Sequence, residues 1–281
     1  MLNNILLCTD GSEHSRAAAA YAALIAKAVD GNVEVLHVVD NRLLEGPYIA
    51  DLGGALGAQP YQALVPQMQA ILRDKASLLL ESTRAFLEKE GVRSSGSIRS
   101  GSLVAEILEA EVAHDLVVIG KRGENAPHSD DRIGSSVEWL ARRSVKPCLV
   151  APTAFAPLKR VVAAFDGSTH AEKALMKAIS VVKALQLPLT ILTVVPVVSE
   201  EDKWREVSNE GLALVRSLGH QAESVLLHGY PDEKIAEYCE ASGGDLLVIG
   251  AYGQGRIREF LLGSTTFQIL LKTTVPVFLI R

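Results

Sequence analysis

Gly250, Gly253 and Gly263 stand in the pattern Gly-x2-Gly-x9-Gly, and Gly263 is followed at once by Ser264, Thr265 and Thr266. Each position has a use in holding an anion. A glycine at the carboxyl end of a strand lets a ligand or another backbone come close, because no side chain stands in the way. Gly263-Ser264-Thr265 offers free N–H groups and hydroxyls where a helix begins, and the positive end of the helix dipole favours phosphate there. Arg256 and Arg258 lie in the intervening loop and would neutralise phosphate charge. Earlier in the chain, Asp166 closes an apolar run. In an open parallel sheet, ligands sit beyond the carboxyl ends of the strands where the strand order reverses, which brings Asp166 and Val194 to one crevice. A carboxylate there accepts hydrogen bonds from an exocyclic amine or a ribose hydroxyl.

The elements that must position these residues occur twice. Ile5-Leu6-Leu7-Cys8-Thr9-Asp10-Gly11-Ser12 returns as Val161-Val162-Ala163-Ala164-Phe165-Asp166-Gly167-Ser168, and Asp115-Leu116-Val117-Val118-Ile119-Gly120 returns as Asp245-Leu246-Leu247-Val248-Ile249-Gly250. An internal duplication of this length predicts two tandem domains, residues 1–154 and 155–281, each of an ordinary domain size. In both copies, apolar runs fit for burial on two faces alternate with helical stretches. That pattern predicts an α/β architecture, a parallel sheet covered by helices on both sides. The first copy carries extra residues between about 41 and 67, where Gly53-Gly54 and Pro60 predict a surface loop leading into a long helix from about Ala63 to Glu90. The short linker, 152–157, predicts that the halves pack together.

The pattern of three glycines, preceded by Asp-Leu-Leu-Val-Ile-Gly and by an early strand ending in Asp-Gly-Ser, resembles the universal stress protein family, and the resemblance covers the whole chain as two tandem family domains. It implies a doubly wound, five-stranded parallel sheet in the order 3-2-1-4-5 in each domain. It implies further that the ATP-binding branch is the nearer relative, with ATP, alone or with Mg2+, as cofactor. Carried over by position, Ala164, Asp166, Val194 and Ile249 would surround adenine. Gly250, Gly253, Arg256, Gly263, Ser264 and Thr265 would hold ribose and phosphates. In single-domain relatives the last strand makes the dimer, so residues 148–151 and 277–280 are expected to pair within this chain.

The first copy departs from the motif. Gly120 and Gly123 are present, but ten residues rather than nine separate Gly123 from Gly134-Ser135-Ser136. That loop contains Glu124, Pro127, Asp130 and Asp131 against a single Arg132. Asp130 and Asp131, close before the phosphate cradle, would repel a triphosphate unless they bind a metal, offset in part by Lys121 and Arg122. Asp10, Val38, Gly120, Gly123, Gly134, Ser135 and Ser136 therefore form a second candidate site, degenerate in its spacing.

Other residues have plainer readings. Asp10 and Asp166 are alternatively helix caps, with Ser12 and Ser168 as rivals for that role. His14 and His170 read as solvated helix residues, His37 as a partnered core or pocket-edge residue, and Trp139 and Trp204 as packing residues. No histidine set has metal-ligand spacing. Cys8, Cys148 and Cys239 are an odd number in apolar or helical settings and read as reduced core thiols. With a net charge of −5, no nucleic-acid or membrane partner is expected. No signal segment is evident, and a cytoplasmic location is the expectation. The chain has no Gly-x4-Gly-Lys-Ser/Thr loop, no kinase signature and no Gly-x-Ser-x-Gly elbow, so no catalytic residue is assigned. The leading expectation is a nucleotide-dependent stress-response protein that is not primarily an enzyme. The alternatives are a scaffold or sensor holding another small molecule or a protein partner, and a slow ATPase. A further homodimer is a secondary expectation.

Overall fold

The computed structural model describes residues 2–40, 58–124, 133–242, 245–250 and 263–281. The first repeat runs β1 (Asn4–Cys8), α1 (Glu13–Val29), β2 (Asn32–Asp40), α2 (Ala58–Lys89), β3 (Arg93–Gly101), α3 (Leu103–Ala110), β4 (Leu116–Gly120), α4 (Ser135–Arg143) and β5 (Cys148–Ala151). The second runs β6 (Arg160–Ala164), α5 (Thr169–Leu185), β7 (Leu189–Val195), α6 (Glu201–Ser217), β8 (Glu223–His228), α7 (Pro231–Ser242), β9 (Asp245–Gly250), α8 (Ser264–Lys272) and β10 (Val277–Ile280).

Each repeat orders its strands 3-2-1-4-5, and the two sets join into one ten-stranded sheet, β3-β2-β1-β4-β5-β10-β9-β6-β7-β8. Every pairing is parallel except the central one. There β5 and β10 run antiparallel, with Val277 beside Val150 and Leu279 beside Cys148. The expected pairing of the last strands is thus what closes the molecule.

The central strands β4, β5 and β10 are apolar throughout because both of their faces are covered. Along β1, Ile5 and Leu7 enter one core while Leu6 and Cys8 enter the other. Helices α1, α2, α5 and α6 build the first core and α3, α4, α7 and α8 the second, and each core runs across both repeats. Alanines at 17, 18, 19, 22, 23 and 26 let α1 lie close on the sheet. The outer strand β3, Arg-Ser-Ser-Gly-Ser-Ile-Arg-Ser-Gly, is polar, as suits an edge exposed to water.

Helix α2 begins at Ala58, inside the stretch expected to be irregular, and contains Pro66. Pro60 falls in its first turn, where the missing N–H has no helical partner to lose. Burial of Ala76 and Leu87 on the sheet then outweighs the single break at Pro66. Residues 41–57, including Gly53-Gly54, lie outside the described residues. The linker is pinned to α1, with the Tyr21 hydroxyl within 3.1 Å of the Ala156 N–H and the Phe155 ring 4.8 Å from the Tyr21 ring.

Candidate functional site

Asp10 stands two residues beyond the end of β1. Its Oδ1 accepts the Ser12 N–H at 3.0 Å and its Oδ2 accepts the Glu124 N–H at 2.8 Å. The serine, not the aspartate, caps α1, since Ser12 Oγ accepts the Ser15 N–H at 3.1 Å. The second repeat repeats the device. Asp166 Oδ1 accepts the Ser168 N–H at 3.0 Å, and Ser168 Oγ accepts the Ala171 N–H at 3.2 Å. Both aspartates therefore shape the turn and leave the helix start to the serines.

All seven first-repeat candidates line one crevice of about 750 Å³ at the carboxyl ends of β1, β2 and β4. That volume suits a nucleotide-sized ligand. Asp10 lies against the glycine loop that follows β4, its Oδ2 accepting the Glu124 N–H, and Val38 lines the crevice from the end of β2. Gly134 opens α4 with no side-chain cap, and its N–H donates to the Lys121 carbonyl at 3.0 Å. The spare room at Gly123 is narrow: a β-carbon there would lie 2.8 Å from Asp10 Oδ2. His37 is a pocket-edge residue with a partner, its Nδ1 being 2.8 Å from the Thr9 carbonyl oxygen.

In the second repeat the register brings the corresponding residues together. Ala164 pairs with Leu192, Ala163 with Val248, and Val194 with Leu227, so Val194, Ile249 and Gly250 reach the same edge beside Asp166. The Thr266 hydroxyl donates to the Gly250 carbonyl at 3.3 Å, holding the first turn of α8 against the end of β9. Gly263 begins α8, again with no side-chain cap, followed by exposed Ser264 and Thr265. Gly253, Arg256 and Arg258 lie outside the described residues, as do Asp130 and Asp131 of the first repeat.

Three readings change. His14 and His170 are half-buried rather than solvated. A β-carbon on Gly120 would meet the His14 Cβ at 2.7 Å, and one on Gly250 would meet the His170 Cβ at 2.9 Å. These two glycines admit the first turns of α1 and α5, so the close approach they permit is by backbone. Burial lowers the His14 pKa below its ordinary value, with Arg122 and Lys121 adding to the fall. Lys121 turns toward the second repeat, its Nζ donating to the carbonyls of Leu271 and Thr273 at the far end of α8. Trp139 is half exposed under the Arg143 guanidinium rather than packed in the core.

The cysteines are buried thiols. Burial pushes Cys148 and Cys239 up to about 12 and raises Cys8 further. Among the described residues no cluster of His, Cys, Asp and Glu is placed to hold a metal ion, and no helix is long and apolar enough to cross a membrane.

Sequence reasoning missed Lys75 and Leu72 of α2, which also line the first crevice. The signal was present in the repeat itself, because α2 and α6 can be aligned backward from Gly91 and Gly219.

The profile of the Universal stress protein family matches the chain twice, at residues 1–152 and 157–281. A universal stress protein from Synechocystis sp. is 33% identical, the match covering 100% of both chains. One from Mycolicibacterium smegmatis is 26% identical over 99% of this chain and 96% of its own. The crystal structure of a universal stress protein from Archaeoglobus fulgidus superposes with a TM-score of 0.76 at 23% identity, covering 100% of this chain and 99% of the other. Two consecutive repeats with this strand order, together with a relative matched end to end, lead to one conclusion: the chain belongs to the universal stress protein family, as a tandem member.

Proposed function

We propose that this protein is a nucleotide-dependent stress-response protein that binds ATP in the crevice of its second repeat and changes its surface when the nucleotide comes or goes. The observation that carries the reading is the start of α8. Gly263-Ser264 leaves the first N–H groups without a side-chain cap, and Thr266 fastens that turn to Gly250 at the end of β9, beside Asp166. A helix start so placed is an anion site. Asp166 and the Val194 backbone would take the adenine end, with Ala164 and Ile249 as its walls. Gly250, Gly253, Gly263, Ser264, Thr265 and Arg256 would take ribose and phosphates. ATP supplies a polyphosphate charge, brought with Mg2+ where the metal travels with it. The first crevice, from Asp10 to Ser136, is the second site in this reading, and its volume supports a ligand of this size in a repeat of this fold.

Denaturing the purified protein and identifying released nucleotide, then titrating the emptied chain with Mg-ATP, tests this. Bound ATP that is lost in Gly263→Trp but kept in Gly134→Trp is the expected result. An empty protein with no response to ATP overturns it and leaves a scaffold or sensor of another ligand.

A further inference from the structure

Helix α2 is seated on the mouth of the first crevice. Leu79 Cδ2 lies 2.6 Å from where a β-carbon on Gly11 would stand, so the helix rests directly on the turn that follows β1. One turn earlier, Lys75 Nζ meets both carboxylate oxygens of Glu124, at 2.9 and 2.7 Å. The Glu124 N–H in turn donates to Asp10 Oδ2. Helix α2, the loop after β4 and Asp10 are thus linked in series across the opening.

The ion pair in this series is half exposed on both sides, 50% for Lys75 and 49% for Glu124. A pair so wet is held weakly and gives way to a better partner. Gly134, Ser135 and Ser136, at the uncapped start of α4, line the same crevice as Lys75 and Glu124. A phosphate there would carry more charge than one carboxylate and would also gain the helix N–H groups.

Taking the nucleotide reading for the first crevice as its basis, we infer that Lys75 is a phosphate-binding residue of that crevice and that Glu124 is its built-in competitor. An arriving phosphate takes the ammonium from Glu124, so the α2 latch and the ligand are alternatives. Phosphate affinity in the first repeat is therefore set by how tightly Glu124 holds Lys75.

The second repeat has the lysine without this competitor. Gly91 and Gly219, at φ 77° and 70°, end α2 and α6, and Val207 sits over Gly167 as Leu79 sits over Gly11. Both correspondences set Lys203 where Lys75 stands. Lys203 pairs instead with Glu200, three residues before it, at 3.6 Å, and lies over the Trp204 ring. The sequence position matching Glu124, four past Gly250, is Gln254, which carries no charge. The repeats should accordingly answer to phosphate differently.

Hydrogen exchange of the full chain resolves the two crevices, through segments 116–124 and 133–143 in the first and 245–250 and 263–272 in the second. ATP and adenosine serve as probes. Lys75→Met should weaken ATP protection of the first crevice about tenfold, as loss of a charge-assisted contact does. Glu124→Gln keeps the backbone bond to Asp10 and should tighten ATP several-fold. Adenosine, lacking phosphate, should bind all three proteins alike, and second-repeat protection should not move. Lys75→Met binding ATP as well as the parent overturns the inference, and so does Glu124→Gln weakening ATP as Lys75→Met does. Protection confined to the second repeat, even in Glu124→Gln, overturns it while the nucleotide reading stands. No protection by ATP in either repeat overturns the nucleotide reading itself.

Discussion

The Lys121 ammonium of the first repeat donates to the Thr273 carbonyl of the second at 2.9 Å, with the Leu271 carbonyl at 2.8 Å beside it. These carbonyls belong to the end of α8, where backbone acceptors run out of helical donors and the dipole is negative. A cation from the neighbouring repeat satisfies both. Lys121→Met should lower the unfolding free energy by about 1.5–3 kcal/mol, the usual loss for a charged hydrogen bond. A denaturant midpoint unchanged from the parent would show that water replaces the lysine without loss.

Gly120 and Gly250 should tolerate no side chain. A β-carbon at either would lie within 3.0 Å of the backbone of His14 or His170, and a backbone cannot turn aside as a side-chain tip can. Gly120→Ala and Gly250→Ala should each destabilise by about 1–3 kcal/mol through overpacking. Thermal melting of the two variants checks this, and parent-like melting would mean that α1 and α5 slide freely on the sheet.

His14 makes a signed prediction about pH. Its folded pKa lies below the ordinary 6.5 because burial disfavours the cation. Between the folded value and 6.5 the unfolded chain therefore binds more protons than the native one, and stability rises with pH. The contribution is complete above 6.5 and is lost as pH falls toward the folded value. His14→Gln should flatten that part of the acid limb of denaturant stability measured from about pH 7 downward. An acid limb identical to the parent's would assign the loss to other groups.

The thiols should be silent in the native protein. Cys8, Cys148 and Cys239 are buried, and all three are held protonated well above their ordinary range. Since the thiolate is the reactive form, a disulfide reagent should titrate none of them until denaturant is added, and then all three. Rapid native labelling would reveal local opening of the second core, which contains each of them.

Much of the fold was legible because its signals are local. Doubly buried strands read as unbroken apolar runs, as in Ile5-Leu6-Leu7 and Val277-Phe278-Leu279-Ile280, and the repeat of Asp-Gly-Ser marked where each repeat's first strand ends. The β5–β10 pairing was implied by the family resemblance, in which this edge makes the dimer of single-domain relatives, and open apolar edges there would have invited aggregation. Within the crevice, Asp10, Val38 and Gly134 could be placed because they sit at strand and helix ends. Lys75, Lys121 and His14 could not. Their roles depend on which turn of a helix lands on which neighbour, and a lysine looks the same in sequence whether it meets solvent, Glu124 or the end of α8. Helix α2 also starts earlier than its prolines suggest, because packing on the sheet decides against local propensity.

The antiparallel seam between β5 and β10 has a consequence for dilution. Two separate chains joined along such an edge would come apart as their concentration fell. Here the linker between the repeats keeps the partner edge at a fixed effective concentration, of millimolar order for a short connection. The number of paired repeats is thereby the same in a scarce protein as in an abundant one, and the two crevices stay in a constant ratio whatever the amount of protein made.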